Sequence, residues 1–338
     1  MGNGKWEMAG CIRVSHFQTP GFSDRKLGDE GNAELTNPVY GHMRCAVMTG
    51  ALIFALAFGS ACMVSVDSQA EVVREERRFT VSGTPELRLA TFDGAIEIQS
   101  WDKPDVFVEI EKRGATREAV AELEVRVNQS GNRIELEVKR PRSEGFGRIG
   151  LHHSASAKLI VSVPPRADIW ARSGDGSIRI ERVTGTMELR TGDGSIHATD
   201  VNGQLTLNTG DGSINVDRAE GRLDLNTGDG GVNVSGKLTA VKLHTGDGSI
   251  VYRAEQGTAM SDDWEITTGD GGVTLYLPRE FSAELDAHTG DGGISNELNV
   301  SAVGGGEVSR RTVRGRIGDG GKLLRIRTGD GSIRLHVS

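Results

Sequence analysis

From residue 71 onward, apolar and polar residues alternate in short runs, and the runs come in pairs around one recurring turn. The stretch "LRTGDGSIHATDVNGQLTLNTGDGSI" (residues 189–214) carries that turn twice. Leu205 and Leu207 lead into a Thr-Gly-Asp-Gly turn, and Ile214 and Val216 follow it. A period of two predicts a short strand on each arm, with one face buried. The phase holds elsewhere. Met187 and Leu189, Leu223 and Leu225, and Val241 and Leu243 precede their turns; Ile178 and Ile180, Ile196 and Ala198, and Val232 and Val234 follow theirs.

The turn aspartates fall at Asp175, Asp193, Asp211, Asp229 and Asp247, 18 residues apart, and recur at Asp270, Asp291 and Asp330 with spacings of 23, 21 and 39. A fixed period in this range marks a stacked array. One such strand buries little alone, whereas identical coils in register bury a continuous column of Leu and Ile. The pattern therefore predicts an all-β chain: a single-stranded parallel β-solenoid, or β-helix, of about 18 residues per coil. Right-handed winding is expected, as for parallel crossovers generally. The rival is a meander or sandwich with Gly-Asp-Gly as the hairpin turn. The constant 18-residue spacing favours the solenoid, because in-register stacking places like residues above like.

The frame reaches back to "ELRLATFDGAIEI", a degenerate first coil with Leu87 and Leu89 before the turn and Ile96 and Ile98 after it. Residues 71–338 are read as one domain, with irregular N-terminal coils over 71–165 and regular TGDGSI repeats over 166–338. Atypical end coils are expected to cap the array against pairing with other chains. Segment 111–157 is read as an excursion, and "RPRSEGFGRIGLHHSASA" as its most mobile loop.

Upstream, "MRCAVMTGALIFALAFGSACMVSVDSQAE" begins at Met43 with one Arg, then an apolar run from Ala46 to Phe58, then small residues. This is the layout of a secretory signal, and the run is short for a membrane span of roughly 20 residues. Residues 43–70 are thus read as a signal peptide or lipoprotein signal, and residues 1–42 as a polar N-terminal extension that reads as an over-extended start. The alternative for 1–42 is a cytoplasmic tail on a single-span anchor. Cys62 ends "GSAC", similar to a lipoprotein cleavage box with Gly59 in place of the usual Leu, so it is the lipidation candidate. A competing cut after Ala70 would release a soluble chain.

Cys11, Cys45 and Cys62 are the three cysteines, so the exported part has no disulfide or cysteine metal site. Gly supplies 47 of 338 residues without a collagen period. The net charge of −8 gives neither a nucleic-acid footprint nor an acidic tail.

With these residues in view, the chain resembles the bacterial putative-adhesin family, an envelope domain of unknown function. The likeness rests on the export signal, the alternating first coil, "SWDKPD", the "VSVPP" strand end, the serial TGDGSI turns and the closing "GRIGDGGKLLRIRTGDGSIRL". It covers residues 72–338. The resemblance implies a β-solenoid in the cell envelope and carries no catalytic residues.

Stacked aspartates would stand about 4.8 Å apart, where two carboxylates repel by roughly 0.9 kcal/mol in water. The expectation is that each Asp caps its own turn by accepting backbone N–H groups, with the flanking glycines at positive φ. The competing reading is a ladder of cation sites, calcium above all. Calcium-binding β-rolls use a nine-residue repeat, and one carboxylate per 18-residue coil departs from it. Thr191, Thr209, Thr227, Thr245, Thr268, Thr289 and Thr328 are expected to form a hydroxyl ladder at the corner, with an ice-type or glycan-binding surface as the alternative. Ser177, Ser195, Ser213, Ser249 and Ser332 alternate with Gly231, Gly272 and Gly293 in the next column, which fits steric tolerance.

No catalytic residue emerges. The carboxylates are spread evenly, whereas a glycan-cleaving enzyme needs a pair brought together. His244 and His288 are expected two rungs apart, too far to share a metal; adjacent His152 and His153 are a weak metal candidate; Asp319 reads as a separate tight turn. No cofactor is expected apart from calcium at the ladder. The sequence therefore points to a non-enzymatic envelope protein, structural or adhesive. Its expected partner is an envelope or extracellular protein or glycan, with membrane contact only through an N-terminal anchor. The alternatives are a polysaccharide-acting enzyme on the same scaffold and an envelope-stress sensing module.

Overall fold

A computed structural model describes residues 70–140, 155–301 and 308–338. These residues form 23 strands joined in one mixed sheet, with one short helix, Arg117–Ala121.

The two arms of each repeat become two strands. Those before the turn pair in parallel from coil to coil, placing Met187 beside Leu205, Leu205 beside Leu223 and Leu223 beside Val241. Those after the turn form a second parallel ladder, with Ile178, Ile196, Ile214, Val232 and Ile250 in one column. Both columns are buried in one hydrophobic core. The outward partners of these leucines, such as Asp224 and Lys242, are exposed. A second corner is made by Arg182, Asp200 and Arg218 at φ of 56, 54 and 52°, followed by Gly185, Gly203 and Gly221 at 150, 128 and 112°. Only a residue without Cβ adopts those last values cheaply.

The all-β expectation holds, but the sheet is not wholly parallel. Glu71–Phe79 pairs antiparallel with Val106–Gly114, which pairs antiparallel with Ala155–Val163. Glu124–Ser130 pairs antiparallel with Arg133–Lys139 at the same end. At the other end, Thr312–Ile317 lies antiparallel on Ala283–Thr289. An open coil offers a row of unpaired N–H and C=O groups, and charged antiparallel strands cover it. Lys112, 8% exposed, is tied to Glu75 at 2.6 Å and donates to the Leu123 carbonyl at 3.1 Å.

Nor do the coils stack in chain order. The Asp93 coil is flanked on one side by the Asp175 coil and on the other by Arg133–Lys139 and Ala155–Val163. The first of those strands comes from the segment read as an excursion. Likewise the Asp330 coil, the last in the chain, lies between the Asp270 and Asp291 coils. Leu324 pairs with Trp264 on one side and Leu285 on the other, and Ile333 with Val273 and Ile294.

Candidate functional site

The turn column is capped by threonine. Thr209 Oγ1 donates to the carbonyls of Gly192 (3.1 Å) and Gly194 (2.8 Å), the two glycines flanking the Asp of the coil beneath. Thr191, Thr227, Thr245, Thr268, Thr289 and Thr328 make the same pair of contacts, and all seven are buried. Ser173 takes the place for the Asp93 turn, donating to the Gly94 carbonyl at 2.8 Å.

Asp175, Asp193, Asp211, Asp229, Asp247, Asp270, Asp291 and Asp330 all project into solvent. Among the described residues none of these carboxylates accepts a side-chain hydrogen bond, and only Asp291 has an ion pair, with Arg311 at 3.4 Å. The expected cap is therefore made by threonine and not by Asp: an inward hydroxyl donates to the turn carbonyls, to which a carboxylate has no proton to give. No backbone N–H among the described residues donates to these aspartates. The glycines also serve differently from expectation. None of those flanking these aspartates has the left-handed φ, but a Cβ on Gly212 would sit 2.0 Å from the Gly194 carbonyl oxygen. Close stacking of turn on turn demands glycine there. The next position is roomy, since a Cβ on Gly231 meets nothing nearer than 3.9 Å, which explains the Ser–Gly alternation.

No group of three His, Cys, Asp or Glu side chains converges among the described residues. His244 and His288 stand three rungs apart, because Thr267 and Arg327 both intervene. His288 Nδ1 instead shares a 3.0 Å hydrogen bond with Thr312 Oγ1. Asp319 lies in a tight turn flanked by Gly318 and Gly320, at φ of 56 and 80°. Cys62, His152 and His153 lie outside the described residues.

The outward rows of the pre-turn ladder carry the rest of the chemistry. One row reads Glu135, Arg88, Trp170, Glu188, Thr206, Asp224, Lys242, Glu265, Arg325, Asp286 and Arg314. The row beside it reads Glu137, Ala90, Arg172, Arg190, Asn208, Asn226, His244, Thr267, Arg327, His288 and Thr312. Burial pushes the Asp286 carboxyl up, but hydrogen bonds from Arg327 and Arg314 outweigh it and leave it below the ordinary range.

Where Ala90 interrupts the second row, the surface sinks into a hollow of about 360 Å³. Trp170 and Arg172 wall it on one side, Glu135 and Glu137 on the other, with Glu188 and Arg190 beyond. The Arg88 guanidinium lies over the Trp170 ring at 5.0 Å and donates to Glu86 at 3.2 Å. Arg133 binds Glu135 at 2.7 Å and its hydrogen bond holds that carboxyl below its usual range. Glu137 is tied to Lys139 at 2.9 Å and Arg190 to Glu188 at 2.7 Å. Arg172 has neither a hydrogen-bond nor an ion-pair partner among the described residues. The composite of Ala90, Trp170 and Arg172 escaped sequence reading, since 80 residues separate Ala90 from Trp170.

An all-β array of TGDG-turned coils with polar outer rows defines the class. Residues 85–336 match the family model Toastrack DUF4097, and the chain belongs to that family. This bears out the likeness drawn from the TGDGSI turns. A putative lipid binding protein from Parabacteroides distasonis is similar at 15% identity and TM-score 0.41, over 78% of this chain and 96% of that one. A putative adhesin from Bacteroides fragilis is similar at 12% identity and TM-score 0.38, over 78% and 97% of the respective chains. A putative cell adhesion protein from Clostridium sporogenes is similar at 13% identity and TM-score 0.29, over 79% and 100%. No curated protein matches the chain. Among the described residues, no helix is long and apolar enough to cross a membrane.

Proposed function

We propose that the protein is an exported, non-enzymatic component of the cell envelope, whose coils form a rigid wall that binds an envelope or extracellular protein or glycan. The parallel coils are read as a right-handed single-stranded β-solenoid over 71–338, capped at both ends. The observation that carries the binding reading is the register of the outward rows. Rung after rung holds polar and charged side chains at fixed spacing on a backbone that cannot shift without breaking both ladders. Carboxylates spread along such rows suit many weak contacts better than general acid–base chemistry, which needs two groups at one bond. The turn aspartates keep a structural role in this reading, as the solvated tips of a column that threonine and glycine build.

Residues 43–70 direct export, and Cys62 tethers the mature chain to a membrane surface. Cys62→Ala is expected to move the protein from the membrane to the soluble fraction. An unchanged fractionation together with a mature N-terminus at Glu71 would remove the tether. Capture experiments with the exported chain against envelope and host-surface fractions test the binding role, and saturable capture is expected. Turnover on a panel of polyanionic glycans would instead make it an enzyme.

A further inference from the structure

In an array whose outer faces repeat, a departure from the repeat carries information. Two departures sit together here. Trp170 is the one aromatic in its outward row, and Ala90 is the one side chain without a polar group in the adjacent row. Neither fills the core, because both project outward from strands whose alternate residues, Leu89 and Ala171, are buried. Together they make the hollow and give it an apolar wall.

A third feature completes it. Arg172 stands directly beside Arg190 on the adjacent strand, an arrangement of like charges that weakens a sheet. Arg190 is matched by Glu188, Glu135 by Arg133, Glu137 by Lys139 and Arg88 by Glu86. Among the described residues the Arg172 guanidinium is left over, with its planar donor fork beside the hollow.

We propose that this hollow binds a pyranose ring bearing a single carboxylate, a hexuronate or a sialic acid. The proposal deepens the binding reading above and rests on it. The carboxylate pairs with the Arg172 fork, whose guanidinium donates two parallel hydrogen bonds to its two oxygens. The C–H face of the ring lies on Ala90 and against the part of the half-buried Trp170 indole that the Arg88 guanidinium leaves uncovered. Aromatic rings suit such a partner because they present a large apolar surface at little entropic cost. The volume of about 360 Å³ falls at the small end of ligand sites, near the size of one or two sugar rings. Glu135, Glu137 and Glu188 on the rim disfavour ligands with more than one negative charge, and the planar fork of Arg172 matches a carboxylate.

The test titrates the full-length chain at low salt with methyl glucuronide, N-acetylneuraminic acid, methyl glucoside and inorganic sulfate, read by calorimetry. At least one of the two acids is expected to bind ten-fold or more tightly than glucoside or sulfate, and which acid does so identifies the source. Arg172→Gln is expected to weaken that binding ten-fold or more, and Ala90→Gln, which fills the hollow from an outward position, to abolish it. Both variants should keep the wild-type melting temperature. Equal binding of glucoside or sulfate, unchanged affinity in either variant, or no binding of either acid overturns the proposal. Capture from envelope fractions separates this from the broader reading. Equal capture of wild type and Ala90→Gln sinks the hollow alone, whereas no capture of either sinks both.

Discussion

The coils from Asp193 to Asp247 and the coils at the two ends use the same repeat but assemble under different rules. In the middle, each coil stacks on the one before it, so neighbours in sequence are neighbours in space. At the ends the chain leaves the stack and returns. The Asp93 coil is covered by later strands, and the Asp330 coil is slotted between two earlier ones. The difference follows from termination. A repeat that pairs only with its neighbours has no reason to stop, and a free chain end in the last coil would fray. Here the C-terminal coil has partners on both sides, and a segment held at both of its own ends covers the array. The antiparallel strands that finish each end cannot propagate the parallel ladder.

The largest effect that would sharpen this comparison comes from removing whole coils. Deleting residues 322–338 takes away Leu324, Ile326, Ile333 and Leu335, all 0% exposed, and leaves two parallel faces unpaired. At about 1.5–3 kcal/mol for each buried side chain, the loss rivals the whole stability of a typical domain, about 5–15 kcal/mol. The truncated chain is expected to lose its cooperative thermal transition and most of its soluble yield. Excising one middle repeat, residues 211–228, removes as much apolar surface but rejoins Gly210 to Asp229 in phase. That chain is expected to stay folded. Equal damage from both deletions, by circular dichroism melts, would erase the distinction between middle and ends.

How much of this was legible in the sequence follows the same division. The Leu and Ile columns were readable because alternation is local and a constant spacing fixes the register, and Leu205, Leu223 and Val241 do share a column. The order of the Asp291 and Asp330 coils was not, since both carry the same turn and the same apolar pattern, and either would fit either slot. Antiparallel closure was hidden too, because alternation looks the same in both directions. The hollow needed the register of Glu86–Thr91 against Asp168–Ser173, which no local pattern gives.

Next in size is the core of the middle coils. Leu223→Ala leaves a cavity between rungs and is expected to cost about 2–5 kcal/mol in urea unfolding. Asp224→Ala, one residue on and exposed, should stay within about 0.5 kcal/mol. Equal costs at both positions would contradict the alternation that separates inside from outside.

A smaller effect tests the stacking of turns. Gly212→Ala puts a Cβ 2.0 Å from a carbonyl oxygen of the coil beneath, so the backbone must move. A cost of about 1–3 kcal/mol is expected, the range for overpacking a tight site. Gly231→Ala has open space and should be silent. If the two behave alike in thermal melts, close approach is not what fixes glycine in these turns.

The smallest expected effect concerns the aspartates themselves. Thr227 is 1% exposed and its hydroxyl donates to the Gly212 carbonyl at 3.0 Å and more weakly to Gly210. Thr227→Val should cost about 1–3 kcal/mol by leaving the carbonyl of buried Gly212 unsatisfied, while Gly210 keeps its bond from the Gly228 N–H. Asp211 has no such bond, and its carboxylate stands in solvent among others of the same sign. Asp211→Asn keeps the shape, relieves some of that repulsion and should be neutral or slightly stabilising, within about 0.5 kcal/mol. The gain should fade as salt screens the column. Chelator should leave the melting temperature of the wild-type chain unchanged. Were the column a calcium ladder, stability would rise by mass action, about 2.7 kcal/mol at a hundredfold excess over the dissociation constant. Asp211→Asn would then lower the gain by deleting a charged ligand. A calcium-dependent rise in melting temperature that this substitution diminishes would turn the aspartates from solvated tips into ligands, and the turn column into a site.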